Sequence, residues 1–347
     1  MEQRQIELCK IIGAVLRGEA FKPNCENADN FIMLSNQYDM LNIIYSCIME
    51  QLSEKALMFC TSTIMKSALL EENRQYEFKR ICDYAEKNNI FILALKGIYT
   101  RTIYPDSSFR KMTDVDLFYN RKQEKQVNQM MKSLGFRDAG YSMKHITWYN
   151  STSNVTVEMH NSLFPEFGLG KTFFSDLFKR TIPLDGYKNI FRMCDNDNYI
   201  YTLFHFYGHY CYSSVRLRQL TDLYVMQLYC DLSFGRIERE IKLLDLYDFY
   251  VQVKSITNKL FVSGEVLSEN EEKFADVFFG NTVSPEKEEE DSRKLFRILK
   301  TMFPKPEKIY VFYPFIYRHK WLLPFGYIKR IFQCLKSDKI YVKKKID

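Results

Sequence analysis

Three acidic side chains and a lysine-glycine pair carry most of the chemistry in this chain: Asp114 and Asp116 in TDVDLF, Glu158 in VTVEMH, and Lys96-Gly97 directly after IFILAL. Side chains alternate along a strand, so Asp114 and Asp116 point to one face while Val115 and Leu117 point to the other. Two carboxylates side by side repel unless a cation lies between them, and hard divalent ions such as Mg2+ take carboxylate oxygens as ligands. In VTVEMH, Val155, Val157 and Met159 share the apolar face, which leaves Thr156, Glu158 and His160 on the opposite one. Glu158 can then serve as a third ligand, and His160, on the same face, as a partner of the ligands. The plainer reading of the same pattern is an amphipathic sheet whose acids face water, because an isolated DxD is a very short motif.

The Lys96-Gly97 step suits an anion. Glycine permits close backbone approach, and if GIYTRTIY (97–104) is a helix stopped before Pro105, its first amides and its dipole face any phosphate placed there. Lys96 adds a mobile cation. An ordinary strand-to-helix connection with a solvated lysine is the alternative. Arg110, four residues before Asp114, can fork onto a phosphate or pair with Asp106 or Asp114. Further on, FHFYGHYCYSSVRLRQLTDLYV holds His205 and His209 four apart on one helix face, then Arg218 and Asp222. Phe206 stands where a zinc-protease helix carries its glutamate, so zinc is not expected. The two histidines read as packed, hydrogen-bonded rings, or, for His209 with Arg218, as groups reaching a cleft, with Asp222 orienting one of them.

The elements needed to position these groups are visible in the periodicity. Residues 1–88 place apolar side chains three and four apart, as in DNFIMLSNQYDMLNIIYSCIMEQL, and Asn88-Asn89 stop the last of these helices. Short strands follow: IFILAL, DVDLFYN, and a hairpin HITWYN-STSN-VTVEMH. RKQEKQVNQMMKSLGF between them reads as a helix ended at Gly135. The helical period returns from Asp195 and continues to about residue 280. The expected organisation is therefore a helical region 1–88, an α/β core 89–165, a helical domain 166–282, and a charged linker with a basic aromatic tail 283–347.

Composition narrows the class. No apolar run approaches the roughly 18 residues that cross a bilayer. The first twenty residues carry Glu2, Arg4, Glu7 and Lys10 with no continuous apolar segment, so secretion is not expected. Nine cysteines without a CxxC pair read as reduced thiols, consistent with a cytoplasmic location. The net charge of +6 is a property of the tail, where eleven Lys and Arg from residue 301 onward face only Glu307, Asp338 and Asp347. Such a segment suits peripheral contact with an anionic membrane surface or with RNA, or packs across the domain with its lysines extended to water.

The arrangement LKG, the YPD loop with Arg110, DVDLF and, about forty residues later, VEMH resembles the bacterial nucleotidyltransferase-like family within the DNA polymerase β superfamily. The His205, His209, Arg218 and Asp222 segment continues the likeness over about residues 35–235. The resemblance implies an α+β fold, a polymerase β-like mixed sheet core flanked by N-terminal and C-terminal helical regions. It implies Mg2+ (or Mn2+) held by Asp114, Asp116 and Glu158, with Lys96, Gly97 and Arg110 on the phosphates. It further implies a nucleoside triphosphate and an acceptor: a sugar or sugar phosphate, a protein, or RNA. One departure stands out, since the superfamily's glycine-serine turn is Lys96-Gly97 here. That departure keeps a non-catalytic nucleotide- or partner-binding protein as a second reading, and a toxin-like enzyme that modifies tRNA is the third.

Overall fold

The computed structural model describes residues 1–19, 27–142, 145–163, 177–212, 215–282, 306, 316 and 319–328. The chain divides into two units: residues 1–209 with 214–282, and residues 210–213 with 283–347. Most of the tail lies outside the described residues, and so do the linker and any membrane or RNA contact expected of it.

The first unit opens with four helices: α1 (Gln3–Leu16), α2 (Ala28–Gln37), α3 (Leu41–Ile48) and the 34-residue α4 (Glu54–Lys87). The helical pattern across DNFIMLSNQYDMLNIIYSCIMEQL is divided at Asp39, whose φ of 61° places it in the left-handed region that ends a helical run. The Ser53 side chain accepts from the Ala56 amide to start α4, and Asn88 with left-handed Asn89 ends it, as its sequence indicates.

The sheet follows, with β1 (Ile92–Ala94), β2 (Val115–Tyr119), β3 (Arg137–Tyr141), β4 (His145–Asn150), β5 (Val155–His160), β6 (Thr181–Pro183) and β7 (Ile190–Met193). Their spatial order is β3-β4-β5-β2-β1-β7-β6. The strands β3, β4 and β5 form an antiparallel meander, β5 runs parallel to β2, β2 antiparallel to β1, and β1 parallel to β7. Two strands, β6 and β7, come from beyond residue 165, and β3 is a further addition to the expected strands. Between β1 and β2 lie the short helix α5 (Lys96–Thr100) and two 3-10 turns. The helix expected over residues 97–104 is thus cut to five residues before a 3-10 turn at Arg101–Ile103. Helix α6 (Glu124–Ser133) connects β2 to β3 and ends at Gly135, which takes φ 86°.

One face of this sheet is core. Val115, Leu117 and Tyr119 of β2, Val155, Val157 and Met159 of β5, and Ile146 and Trp148 of β4 pack with Ile81 and Ala85 of α4 and Val127 and Met130 of α6. Because a strand alternates, burying that set turns Asp116, Glu158 and His160 to the other face. The helices α7 (Asp195–Tyr212), α8 (Leu217–Tyr229), α9 (Phe234–Leu243), α10 (Tyr247–Asn258) and α11 (Glu269–Phe278) complete the chain to residue 278.

Candidate functional site

The strand register assembles the site. Asp116 of β2 lies opposite Glu158 of the parallel strand β5, and His145 of β4 lies opposite His160 of β5. The His160 Nε2 donates to Asp116 Oδ1 at 2.8 Å and stands 3.5 Å from Glu158 Oε2, while His145 Nε2 stands 3.5 Å from Glu158 Oε1. Asp114, one residue ahead of β2, belongs to the same cluster electrostatically. Its carboxyl is pushed above the usual range, first by burial and then by the charges of Asp116 and Glu158.

Asp116 behaves in the opposite way. Burial works to raise it, but Lys96 and His160 outweigh that and hold its carboxyl well below the usual range. The Lys96 Nζ is 3.5 Å from Asp116 Oδ2 and donates to His205 Nε2 at 2.7 Å. Lys96 reaches this position from a backbone φ of 23°, on the positive side that favours glycine and that costs a residue with a Cβ on the order of 1 kcal/mol. His205 is held well below the ordinary imidazole value by burial and then by the neighbouring Lys96 charge, so it is neutral and accepts the lysine proton donor. His209 Nε2 lies 3.2 Å from that same His205 nitrogen. His160 is shifted upward: burial opposes its charged form, but the hydrogen bonds to Asp116 and Glu158 prevail.

Beside this cluster lies a second one. The guanidinium of Arg110 forks onto Asp222, with Nε to Oδ1 at 2.8 Å and Nη2 to Oδ2 at 2.9 Å, and both side chains are under a tenth exposed. Tyr104 donates to the same Asp222 Oδ1 at 2.8 Å. The local partners that spacing suggested for Arg110, Asp106 and Asp114, give way to a residue 112 positions away. Its Nη1 and the Met112 Sδ both lie against Gly97, where a Cβ would come within 2.9 Å of each, so a side chain at 97 would push on both. Arg218 donates to the Lys111 carbonyl at 3.0 Å, bracing the loop that leads into Asp114. Arg110 also lines a cavity of about 270 Å³ with Asn42, Glu71, Arg101 and Lys111.

The structure therefore brings Lys96, Asp114, Asp116, Glu158 and His160 into one cluster and Gly97, Arg110 and Asp222 into its neighbour. His209 is reached through His205, and Arg218 acts on the backbone. Two members escaped the sequence reading as site residues. The alternation of HITWYN puts His145 on the face of Glu158, a signal that was available, whereas the approach of His205 to Lys96 spans 109 residues and has no local mark.

A model of an uncharacterised nucleotidyltransferase family matches residues 24–262. The chain belongs to that family, and its mixed seven-stranded sheet with flanking helices is a nucleotidyltransferase fold. Among solved structures, the antibiotic-resistance factor ANT(2'')-Ia is similar at 9% identity and a TM-score of 0.36, over 51% of this chain and 93% of that one. That likeness is too distant to carry weight for the site. No curated protein matches. Family membership supports nucleotidyl transfer in general, and no helix among the described residues is long and apolar enough to cross a membrane.

Proposed function

We propose that this protein is an Mg2+-dependent (or Mn2+-dependent) enzyme that moves a nucleoside monophosphate from a nucleoside triphosphate to an acceptor hydroxyl. The observation that carries the reading is the crowding of Asp114, Asp116 and Glu158 on the polar side of the sheet, felt in the raised carboxyl of Asp114. Three carboxylates are the donors such an ion takes, so the residues fit it: Asp114 and Asp116 would hold the ions, with Glu158 sharing one of them. Bound divalent ions supply charge neutralisation to the attacking and leaving oxygens of an in-line displacement at phosphorus.

The chain's own groups do the rest of the work in this proposal. In this reading Lys96, Gly97 and Arg110 are the groups that meet the phosphates, the Lys96 ammonium now directed at Asp116 and the Arg110 Nη1 packed against the bare Cα of Gly97. Asp222 fixes the plane of Arg110 and so acts through it. Neutral His205 holds the lysine ammonium by accepting from it, and His209 supports His205. In this proposal Glu158 takes the acceptor's proton, and His160, 3.5 Å from it, is the acceptor-side contact. Arg218 keeps the segment before Asp114 in place. The acceptor class in this proposal is a sugar, a sugar phosphate, a protein side chain or an RNA end. We place the protein in the cytoplasm, with peripheral contact to a membrane surface or RNA through the basic sequence of the tail.

A second reading draws on one contact. The Lys96 ammonium already faces an Asp116 oxygen, as in a protein that binds a nucleotide or partner without turning it over. The two are separated by pyrophosphate release from each NTP in the presence of Mg2+ and source-cell extract. Asp116→Asn should lower release by at least about a thousandfold while the melting curve survives, in line with losing transition-state charge stabilisation. Equal release by the variant would eliminate the enzymatic reading.

A further inference from the structure

We infer that His145, Glu158 and His160 form a cation site of their own, selective for Zn2+ and similar nitrogen-seeking ions over Mg2+. One ligand atom from each of the three lies within 4.8 Å of the others. The two histidine-to-carboxylate separations are both 3.5 Å, from His145 Nε2 to Glu158 Oε1 and from His160 Nε2 to Glu158 Oε2. Zinc-to-nitrogen and zinc-to-oxygen bonds of about 2.0–2.1 Å give a tetrahedron whose edges are about 3.4 Å, close to both separations, which run to the two different oxygens of Glu158; to ligate, His160 Nε2 exchanges its hydrogen bond to Asp116 for the ion.

The backbone sets this triangle before any ion arrives. Glu158 and His160 are two apart on β5 and share a face, and the antiparallel register places His145 directly across from His160 and Thr147 across from Glu158. All three ligands therefore stand on adjacent strands of one rigid hairpin. Two imidazoles and one carboxylate with an open fourth position are a donor set that Zn2+, Co2+ or Ni2+ accepts readily, whereas Mg2+ demands oxygen and gives up water reluctantly. The inference deepens the functional reading and rests on it in one respect, because Glu158 is also counted among the Mg2+ ligands. It adds His145, which that reading does not use.

The test uses the full chain, with Zn2+ and Mg2+ affinities from calorimetry and Co2+ as a coloured substitute whose visible absorption reports nitrogen ligation. Zn2+ should bind at least about a hundredfold more tightly than Mg2+. His145→Ala and, separately, the milder His145→Gln should each weaken Zn2+ at least about tenfold and reduce the Co2+ bands. Glu158→Gln should do the same, with circular dichroism confirming that all variants fold. Unchanged Zn2+ affinity and Co2+ spectra in the two His145 variants would overturn the site. Wild-type transfer with Mg2+ alone is measured in parallel. A protein that transfers nucleotide but shows no Co2+ bands contradicts only this inference, and one that shows the bands but never transfers contradicts only the functional reading.

Discussion

The fork between Arg110 and Asp222 joins two side chains that are both under a tenth exposed. A buried charge that loses its partner has no water to fall back on, so removing one half costs far more than the pair itself contributes. Asp222→Ala should therefore lower stability by about 3–5 kcal/mol, leaving the arginine charge uncompensated at a side-chain exposure of 7%. Tyr104→Phe deletes only the hydroxyl bonds to Asp222 and Thr221 and should cost about 1–2 kcal/mol. Denaturant melts of both variants check the ranking, and equal losses would mean that the arginine finds another anion. This partnership also shows where sequence reading stops. The chemistry of Arg110 and Asp222 can be seen in their types, but a pairing across 112 residues is created by the fold and leaves no spacing to read. The same holds for Lys96 and His205, whereas Glu158 and His160, two apart on one strand, reveal their common face at once.

Among the elements, α11 gives the clearest case of a local device with a measurable consequence. Ser268 and Glu271 form a capping box at its start, and Glu271 also receives hydrogen bonds from Lys259 and Ser255. These donors bring its carboxyl down from the ordinary 4.5 to about 2, the Lys259 bond contributing most. A group whose folded pKa is depressed stabilises the fold fully above its unfolded value and loses that contribution as pH falls toward the folded one. Stability should therefore decline between about pH 4.5 and 2 in part through Glu271, and Glu271→Gln should flatten that part of the profile while being less stable at neutral pH. An unaltered acid slope in the variant would remove Glu271 from the account of acid sensitivity. The legibility of elements follows their length. The end of the 34-residue α4 at Asn88-Asn89 is plain in the sequence, and so is the β4–β5 hairpin with its strict alternation. Strands of three and four residues, such as β6 and β7, contain too few side chains to display a period, and they become strands because β1 offers β7 an edge.

For the molecule as a whole, one sheet separates two functions of the same strands. Its apolar face closes on α4 and α6 and holds the fold together, while the opposite face carries the acids, histidines and lysine. That division was readable from alternation alone, because burying Val155, Val157 and Met159 leaves Glu158 and His160 no other side. The central claim is that this polar face transfers the α-phosphoryl end of a nucleotide. It is tested most directly by incubating the full chain with Mg2+, source-cell extract and each NTP labelled at either the α or the γ phosphate, beside Asp114→Asn/Asp116→Asn. Label from the α position should become covalently attached to a sugar, protein or RNA fraction, the γ label should leave as pyrophosphate, and the double variant should do neither. Attachment of the γ label, or equal attachment of the α label by the variant, would contradict the assignment.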